Sequence, residues 1–268
     1  MKNIQRCKPM LGTFVEISVQ DTVSEKALIE ITTRVFDVIA QVDQAMSFHD
    51  PKSELSEINR YAHLHPVRIS EDMYQVLNQA LMLSQLTQGL YDITMTPKLI
   101  ERKILPDLGY HYSPTSTWQD IRLDENEIYF RQPLILDLGG IAKGFAVDKA
   151  VAAAQECDVI VNAGGDLKMT HWQDKTASIR LPQSPIEKQV TVPMQAAALA
   201  SSGHYFQQQD VMAIIDPTGQ IKADRDVSVS VFAESCMLAD ALTKVVYLEN
   251  NVDSLLSDLN ATAMRFDH

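Results

Sequence analysis

Residues 134–148 constrain the fold of this chain more than any other segment. They read Leu-Ile-Leu-Asp-Leu-Gly-Gly-Ile-Ala-Lys-Gly-Phe-Ala-Val-Asp. The first three residues predict a buried strand that leads through Asp137 into a glycine turn, and a helix is predicted over residues 141–155. Free N–H groups at a helix start attract phosphate, and Lys143 lies in the first turn, where a cation opposes the helix dipole. The segment therefore indicates either an anion-binding turn or, equally well, a simple turn followed by a solvated lysine.

The remaining pattern predicts strands and helices in an irregular order. Strands are predicted at residues 13–19, 159–161, 177–181, 196–200, 211–215 and 227–232, and a hairpin at 120–132. Because no regular βαβ rhythm occurs, the pattern predicts an α+β fold in a single domain over residues 1–268.

The helices are predicted from their capping residues. A capping box of Thr22 and Glu25 starts one helix, Ser53 caps a second to residue 60, and Ser70 caps a third to residue 87 that Gly89 closes. Two more helices are predicted at 237–247 and 252–259. The buried face of the first helix should consist of Leu28, Ile31, Val35, Ile39 and Val42.

The composition argues against several function classes. The 268 residues carry a formal net charge of −12, which argues against nucleic acid, because a phosphate backbone recruits Lys and Arg. No stretch approaches the ~20 apolar residues of a membrane span. The three cysteines form no Cys-x-x-Cys pair and the seven histidines no His-Glu-x-x-His arrangement, so zinc has no support. Few cysteines and no apolar run near Met1 predict a cytoplasmic protein, with a removed export signal left open.

Three shorter segments carry candidate binding groups. The paired glycines of residues 162–166 would let a ligand or another backbone approach closely, or would only form a tight turn. The hydroxyl groups of residues 200–203 could donate to phosphate or satisfy a strand end. Asp240 and Thr243 share a helix face and could hold a hard cation with waters and ligand phosphates. An i,i+4 ion pair of Asp240 with Lys244 fits the spacing better.

In their order along the chain, these segments resemble the ApbE family, flavin transferases that move FMN from FAD onto a protein. Met10-Leu11-Gly12-Thr13 resembles the family's Met-Gly-Thr, and residues 46–55 with Asn59 resemble its Met-Ser-x-Tyr-x-x-x-Ser-Glu-Leu segment. Residues 89–92 match its Gly-x-Phe-Asp, and the runs at 137–148, 162–166, 200–203 and 214–219 follow. Agreement of this extent is typical of a family member.

The resemblance implies an ApbE-like two-lobed mixed-sheet fold with flanking helices and with FAD between the lobes. It implies FAD contacts at Leu11, His49, Leu90, Tyr91, Asp92, Asp137 and Lys143. It also implies Mg²⁺ on the pyrophosphate, held by the backbone oxygen of Gly140, the side chain of Asp240 and, one turn on, Thr243. The reaction implied is attack on FAD by a Ser or Thr hydroxyl of an acceptor protein, with release of AMP.

Four positions depart from the family's pattern. Lys244 stands where the family has Thr, and Ala213 stands where it often has His. Ser201 replaces Thr, and His49 replaces a Tyr that flanks the adenine. The alternatives are therefore an FAD-binding homologue with lost or altered transfer, such as a flavin carrier or FAD pyrophosphatase, and a flavin-free interaction protein. A protonated lysine cannot ligate Mg²⁺, so Lys244 could instead place its ammonium group where the metal would lie.

Overall fold

The computed structural model describes residues 1–154, 156–181, 189–203, 214–217 and 227–267. The chain divides into two compact units. Unit 1 comprises Met1–Asp43, Ile141–Gln207 and Asp224–His268, and unit 2 comprises Gln44–Gly140 and Gln208–Ala223. No helix within the described ranges is long and apolar enough to cross a membrane.

Helices and strands alternate irregularly along the described residues. The helices are α1 Glu25–Met46, α2 Glu54–Tyr61, α3 Glu71–Leu86, α4 Thr96–Glu101, α5 Ala142–Ala152, α6 Cys236–Leu248 and α7 Asp253–Asp258. The strands are β1 Lys2–Met10, β2 Thr13–Asp21, β3 Val67–Arg68, β4 Ile121–Asp124, β5 Glu127–Phe130, β6 Asp158–Ala163, β7 Asp166–Met169, β8 Thr176–Arg180, β9 Gln189–Pro193, β10 Ala198–Gly203, β11 Val227–Ala233 and β12 Thr262–Asp267. The predicted α+β class is confirmed.

Unit 1 is built on a sheet with the strand order β1-β2-β6-β7-β10-β11-β12. Its pairings are antiparallel. Every residue of β11 is buried, because this strand is covered on both faces. Helix α6 packs on β10 and β11, and Phe232 joins a core cluster with Ile179 and Val192 of the β8–β9 hairpin. This fully buried strand, next to the edge strand β12, therefore gives α6 a fixed base.

Unit 2 combines α2, α3 and α4 with a sheet of order β3-β5-β4. The predicted hairpin is confirmed, since Asp124 pairs with Glu127 across a two-residue loop. The predicted caps are also confirmed: Ser53 accepts a hydrogen bond from the N–H of Ser56, and Ser70 from that of Met73. Local sequence signals thus set the ends of these helices.

The prediction for the start of α1 is wrong in detail. The cap is Ser24, whose Oγ accepts from the N–H of Ala27 at 3.2 Å, while Thr22 donates to Asp21 instead. On the predicted buried face Ile31 is only half-buried, and the fully buried Thr32 and Phe36 complete that face.

The strand predicted at residues 134–136 is also absent from the described secondary structure. These residues are buried as expected but form no ladder. Residues 211–213 of the strand predicted at 211–215, Ala213 among them, lie outside the described residues. The edge strands β1 and β12 carry too few buried residues to show an apolar alternation, so the sequence pattern missed them.

Candidate functional site

In unit 1, the turn between β1 and β2 holds Leu11 in an unusual conformation. Leu11 and Gly12 form a two-residue loop with φ angles of 55° and 69°, as a type I′ hairpin turn requires. The Leu11 N–H donates to Asp43 Oδ2 at 3.2 Å. A residue with a side chain is costly at positive φ, so Leu11 is held at a local cost in stability.

The next residue, Thr13, lies against the glycine turn between β6 and β7. A Cβ on Gly164 would lie 3.0 Å from Thr13 Cβ and closer still to its hydroxyl, and Gly164 has a φ of 65°. Gly165 follows at a φ of 108°, and its N–H donates to Asn162 Oδ1 at 3.0 Å. The paired glycines therefore serve close backbone packing and deliver Asp166 to the start of β7.

Lys143, in the first turn of α5, is the centre of a buried ionic cluster. Its ammonium group contacts Asp166 Oδ2 and lies 3.7 Å from Asp240 Oδ2. The side chains of Asp166 and Asp240 are 2% and 1% exposed. The Gly144 N–H adds a hydrogen bond to Asp240 Oδ2 at 3.3 Å. The sequence raised the possibility of an anion next to Lys143. The protein's own carboxylates, those of Asp166 and Asp240, supply part of that negative charge.

Close packing of α5 on α6 makes this arrangement possible. A Cβ on Gly144 would lie 2.6 Å from the Cys236 carbonyl carbon and 2.8 Å from Met237 Cα. Asp148 lies one turn after Gly144 on α5 and accepts from the N–H groups of Cys236 and Met237 at 2.9 and 2.8 Å. Sequence reasoning missed this role of Asp148, which accepts from the first N–H groups of α6 beside the N-cap Ser235.

Lys244 completes the cluster from α6. Its Nζ contacts Asp240 Oδ1 and donates to the Asp240 backbone oxygen at 2.9 Å. The ion pair that the spacing favoured is therefore present. Thr243 Oγ1 donates to the same backbone oxygen at 2.6 Å and lies 2.7 Å from Ser202 Oγ. Ser202 and Asp166 were not predicted as partners here, because only the β7–β10 pairing brings them to the cluster.

The cluster perturbs the pKa values of its members. Burial, together with the charge of Asp240, raises the pKa of Asp166 to about 6, against the opposing effect of Lys143. Burial also acts to raise the pKa of Asp240, but the two ammonium groups outweigh it and lower that pKa overall. Burial acts to lower the pKa of Lys143, and its two carboxylate neighbours raise it above its ordinary value. At neutral pH the cluster is therefore two cations and two anions.

This arrangement does not fit a magnesium ion at Asp240. Magnesium requires near-octahedral oxygen ligands and keeps several waters. Asp240 Oδ1 faces Lys244, and Oδ2 faces Lys143 and the Gly144 N–H. Within the described part of the chain, no group of three His, Cys, Asp or Glu side chains could hold a metal. Gly140, the remaining predicted ligand, belongs to unit 2.

In unit 2, Asp137 follows a segment held by a side-chain amide. Asn59 Nδ2 donates to the Leu136 carbonyl at 2.9 Å, and the Leu136 N–H donates to Asn59 Oδ1 at 2.8 Å. The Asp137 N–H donates to the Ile93 carbonyl at 3.0 Å. The buried Asn59 thus satisfies the two backbone groups of Leu136 that a neighbouring strand would otherwise satisfy.

Residues 90–92 follow α3 and are also fixed by hydroxyl groups. Gly89 has the predicted positive φ, 85°, and its N–H donates to the Ser84 carbonyl at 2.7 Å, but Gln88 before it, at a φ of 52°, is the first left-handed residue after the helix. The Tyr91 N–H donates to Thr87 Oγ1 at 3.0 Å, and Asp92 Oδ1 accepts from both the N–H and the Oγ1 of Thr94 at 2.7 Å. Burial raises the pKa of Asp92 against these hydrogen bonds. Tyr91 is buried, and Leu90 and Asp92 are half-buried.

His49 lines a cavity of about 390 Å³ within unit 2. The other lining residues are Pro51, Arg60, Leu108, Gly109, Tyr110 and His111. His49 is exposed, and its ring meets Phe48 edge-on with centroids 6.0 Å apart. Aromatic and cationic side chains around one open cavity can receive a flat heteroaromatic ring.

Comparison with known proteins agrees with the motif order. The model of the ApbE family matches residues 11–263. FAD:protein FMN transferase of Vibrio cholerae is 27% identical over 263 residues, covering 87% of this chain and 78% of its own length. The Chlamydia trachomatis protein of the same name is 31% identical over 231 residues, covering 78% and 72%.

Solved structures show the same fold. The ApbE flavin transferase of Vibrio cholerae superposes with a TM-score of 0.83 at 24% identity, over 98% of this chain and 93% of its own. The apo form of the Pseudomonas stutzeri flavinyl transferase ApbE gives a TM-score of 0.83 at 18% identity, over 100% and 91%. With its family match over residues 11–263, this chain belongs to the ApbE family.

Proposed function

We propose that this protein transfers FMN from FAD to a Ser or Thr hydroxyl of an acceptor protein. The hydroxyl oxygen bonds to the FMN phosphorus, the pyrophosphate bond to AMP breaks, AMP leaves, and the hydroxyl proton passes to water. The observation that carries the proposal is the family match over residues 11–263, which includes the whole motif set around Lys143. The two units act as one FMN transferase domain over residues 1–268 in this proposal.

The FAD contacts proposed are the positions that the resemblance implies. They are Leu11, His49, Leu90, Tyr91, Asp92, Asp137 and Lys143. The ammonium group of Lys143 is fixed by two buried carboxylates, and the Lys143 side chain is 32% exposed. This supports a role on the pyrophosphate, because a lysine acts on phosphate as a point charge. The cavity at His49 supports a role for that side chain on a ring of the ligand.

Magnesium with Gly140, Asp240 and Thr243 as ligands stays a prediction from the resemblance. Since Lys143 and Lys244 already face the two carboxylate oxygens of Asp240, the proposed transfer contains no metal step. A cytoplasmic location, supported by the low cysteine count, also stays a prediction.

A second candidate function is flavin binding with lost or rerouted transfer, as in a carrier or an FAD pyrophosphatase. The observation that favours it is the contact of Lys244 with Asp240, at the position where the family has Thr. Loss of the family's Thr would change how the pyrophosphate is activated.

Mass spectrometry of a flavinylation assay separates the two candidates. The protein, FAD, Mg²⁺ and a small acceptor domain with a Ser/Thr flavinylation motif are incubated, with an acceptor lacking that hydroxyl as the control. An acceptor mass gain equal to FMN, with one AMP released per acceptor, is expected. FAD binding without a mass gain would favour the carrier, and AMP release without a mass gain would favour the pyrophosphatase.

A further inference from the structure

The cluster around Asp240 has its cations and anions at different depths. The side chains of Lys143 and Lys244 are 32% and 20% exposed, whereas those of Asp166 and Asp240 are 2% and 1% exposed. The lysine side chains therefore form the accessible part of the cluster, and the two carboxylates form its buried part. An approaching ligand reaches a lysine side chain before it reaches either carboxylate.

We propose that Lys244 supplies, as a fixed ammonium group, the positive charge that the resemblance assigns to magnesium, so that FAD binds here without a divalent cation. The inference rests on the proposed function, because it takes the pyrophosphate of FAD as the anion. Lys143 and Lys244 together hold that pyrophosphate from the two sides of Asp240.

The charge count supports this exchange. Without Lys244, the cluster would hold Asp166 and Asp240 against Lys143 alone, and a buried unpaired carboxylate is costly. Such a site would recruit a divalent cation. With Lys244 present, Asp240 is neutralised by the protein itself, and both of its carboxylate oxygens have a cationic neighbour.

Competition between like charges supports it as well. A magnesium ion at Asp240 Oδ1 would have to displace the Lys244 ammonium group, which also donates to the Asp240 backbone oxygen at 2.9 Å. Two cations a few ångströms apart repel each other strongly in a partly buried site. The Thr243 hydroxyl is also not available as a magnesium ligand, because it already donates to the Asp240 backbone oxygen and contacts Ser202.

The test measures FAD affinity by isothermal titration calorimetry in EDTA and in excess Mg²⁺. The wild-type Kd should agree within about twofold between the two conditions. Lys244→Thr should lose about tenfold or more in EDTA, which is about 1.4 kcal/mol, and should recover in Mg²⁺. Lys175→Thr is the matched control, because Lys175 is 29% exposed and, like Lys244, paired with a carboxylate, that of Asp158 outside the cluster. Its affinity should be unchanged in both conditions.

Each other outcome has a distinct meaning. A wild-type affinity that collapses in EDTA, or a Lys244→Thr affinity that EDTA does not change, overturns the role of Lys244 and leaves the transferase proposal standing. No FAD binding by the wild type in either condition overturns both.

A second measurement does not depend on a folded variant. Mn²⁺ is titrated into wild-type protein with saturating FAD and followed by electron paramagnetic resonance. Free Mn²⁺ signal from the first addition is expected, and a tight stoichiometric Mn²⁺ site would overturn the inference.

Discussion

The candidate residues of unit 1 and unit 2 are held in place by different means. In unit 1, Lys143 and Asp240 lie on helices and are fixed by buried ion pairs. In unit 2, Asp137 and Asp92 lie on irregular backbone. The Asn59 amide holds Leu136, the residue before Asp137, and the Thr94 hydroxyl donates to Asp92. Most backbone groups within a helix are hydrogen-bonded to one another, so helix side chains are free to form ion pairs. Irregular buried backbone instead needs neutral side chains as hydrogen-bond partners.

This difference predicts two kinds of sensitivity. Removing a neutral partner in unit 2 leaves backbone groups unsatisfied at every pH, because amides do not titrate. Changing a charge in unit 1 should give an effect that depends on pH, because it alters the protonation equilibria of its neighbours.

The largest effect is expected for Asn59→Ala. Both the N–H and the carbonyl of Leu136 would lose their partner in a buried site, and the lost amide would leave a cavity. We expect the free energy of unfolding to fall by about 3 kcal/mol in urea denaturation. Gln75→Ala, which removes an exposed amide from α3, should change it by less than about 0.5 kcal/mol. Equal effects of the two substitutions would refute the role of Asn59.

Gly144→Ala should be the next largest and would test how closely α5 and α6 pack. The added Cβ would meet backbone atoms of Cys236 and Met237, which cannot rotate away. A loss of about 2–3 kcal/mol is expected from thermal or urea unfolding. The control Gly109→Ala has nothing within 4 Å but a φ of 73°, so it should cost only the backbone strain of about 1 kcal/mol. If Gly144→Ala proves the milder of the two, the close packing is wrong.

Asp166→Asn should show the pH dependence that separates the units. The folded pKa of Asp166 is about 6 and its ordinary value is 3.8, so between these values the folded protein binds a proton that the unfolded chain does not. The wild type therefore gains stability relative to Asp166→Asn as pH falls from 7 to 5, by about 1 kcal/mol.

Urea unfolding of both proteins at the two pH values measures this difference. Asp174→Asn, at an exposed position of unit 1, is the control and should give a constant difference. A cost of Asp166→Asn that shrinks as pH falls would contradict the raised pKa.

The smallest effect is expected for Leu11→Asn, which separates stability from ligand binding. Asn tolerates a φ of 55° better than Leu, so the thermal midpoint should rise by an amount equivalent to about 0.5–1 kcal/mol. If Leu11 contacts FAD, the affinity should fall although the fold is more stable. Higher stability with unchanged FAD affinity would remove Leu11 from the proposed site.

The three cysteines of unit 1 differ in exposure. Cys7 is exposed, whereas Cys157 and Cys236 are buried, and burial raises the pKa of Cys157 to about 11. A thiol reagent should therefore modify Cys7 at once and the other two only after unfolding. Rapid native reaction at Cys236 would show that α6 opens away from α5.

Much of the local structure followed from the sequence pattern alone. The caps Ser53 and Ser70, the hairpin at 120–132 and the i,i+4 pair of Asp240 with Lys244 are all predicted and present. Each depends on residues only a few positions apart, where spacing and side-chain chemistry decide the outcome. The α+β class and the family followed from the same signals in their order.

The tertiary structure alone decided which distant residues meet. Lys143 meets Asp166 through the β6–β7 turn, and Asn59 replaces a strand partner for Leu136 from 77 positions away. The edge strands β1 and β12 form because neighbours offer free ladder groups, although their own residues show little apolar alternation. Sequence periodicity reports which face of an element is apolar, but the partner of a buried charge or amide depends on how the whole chain packs.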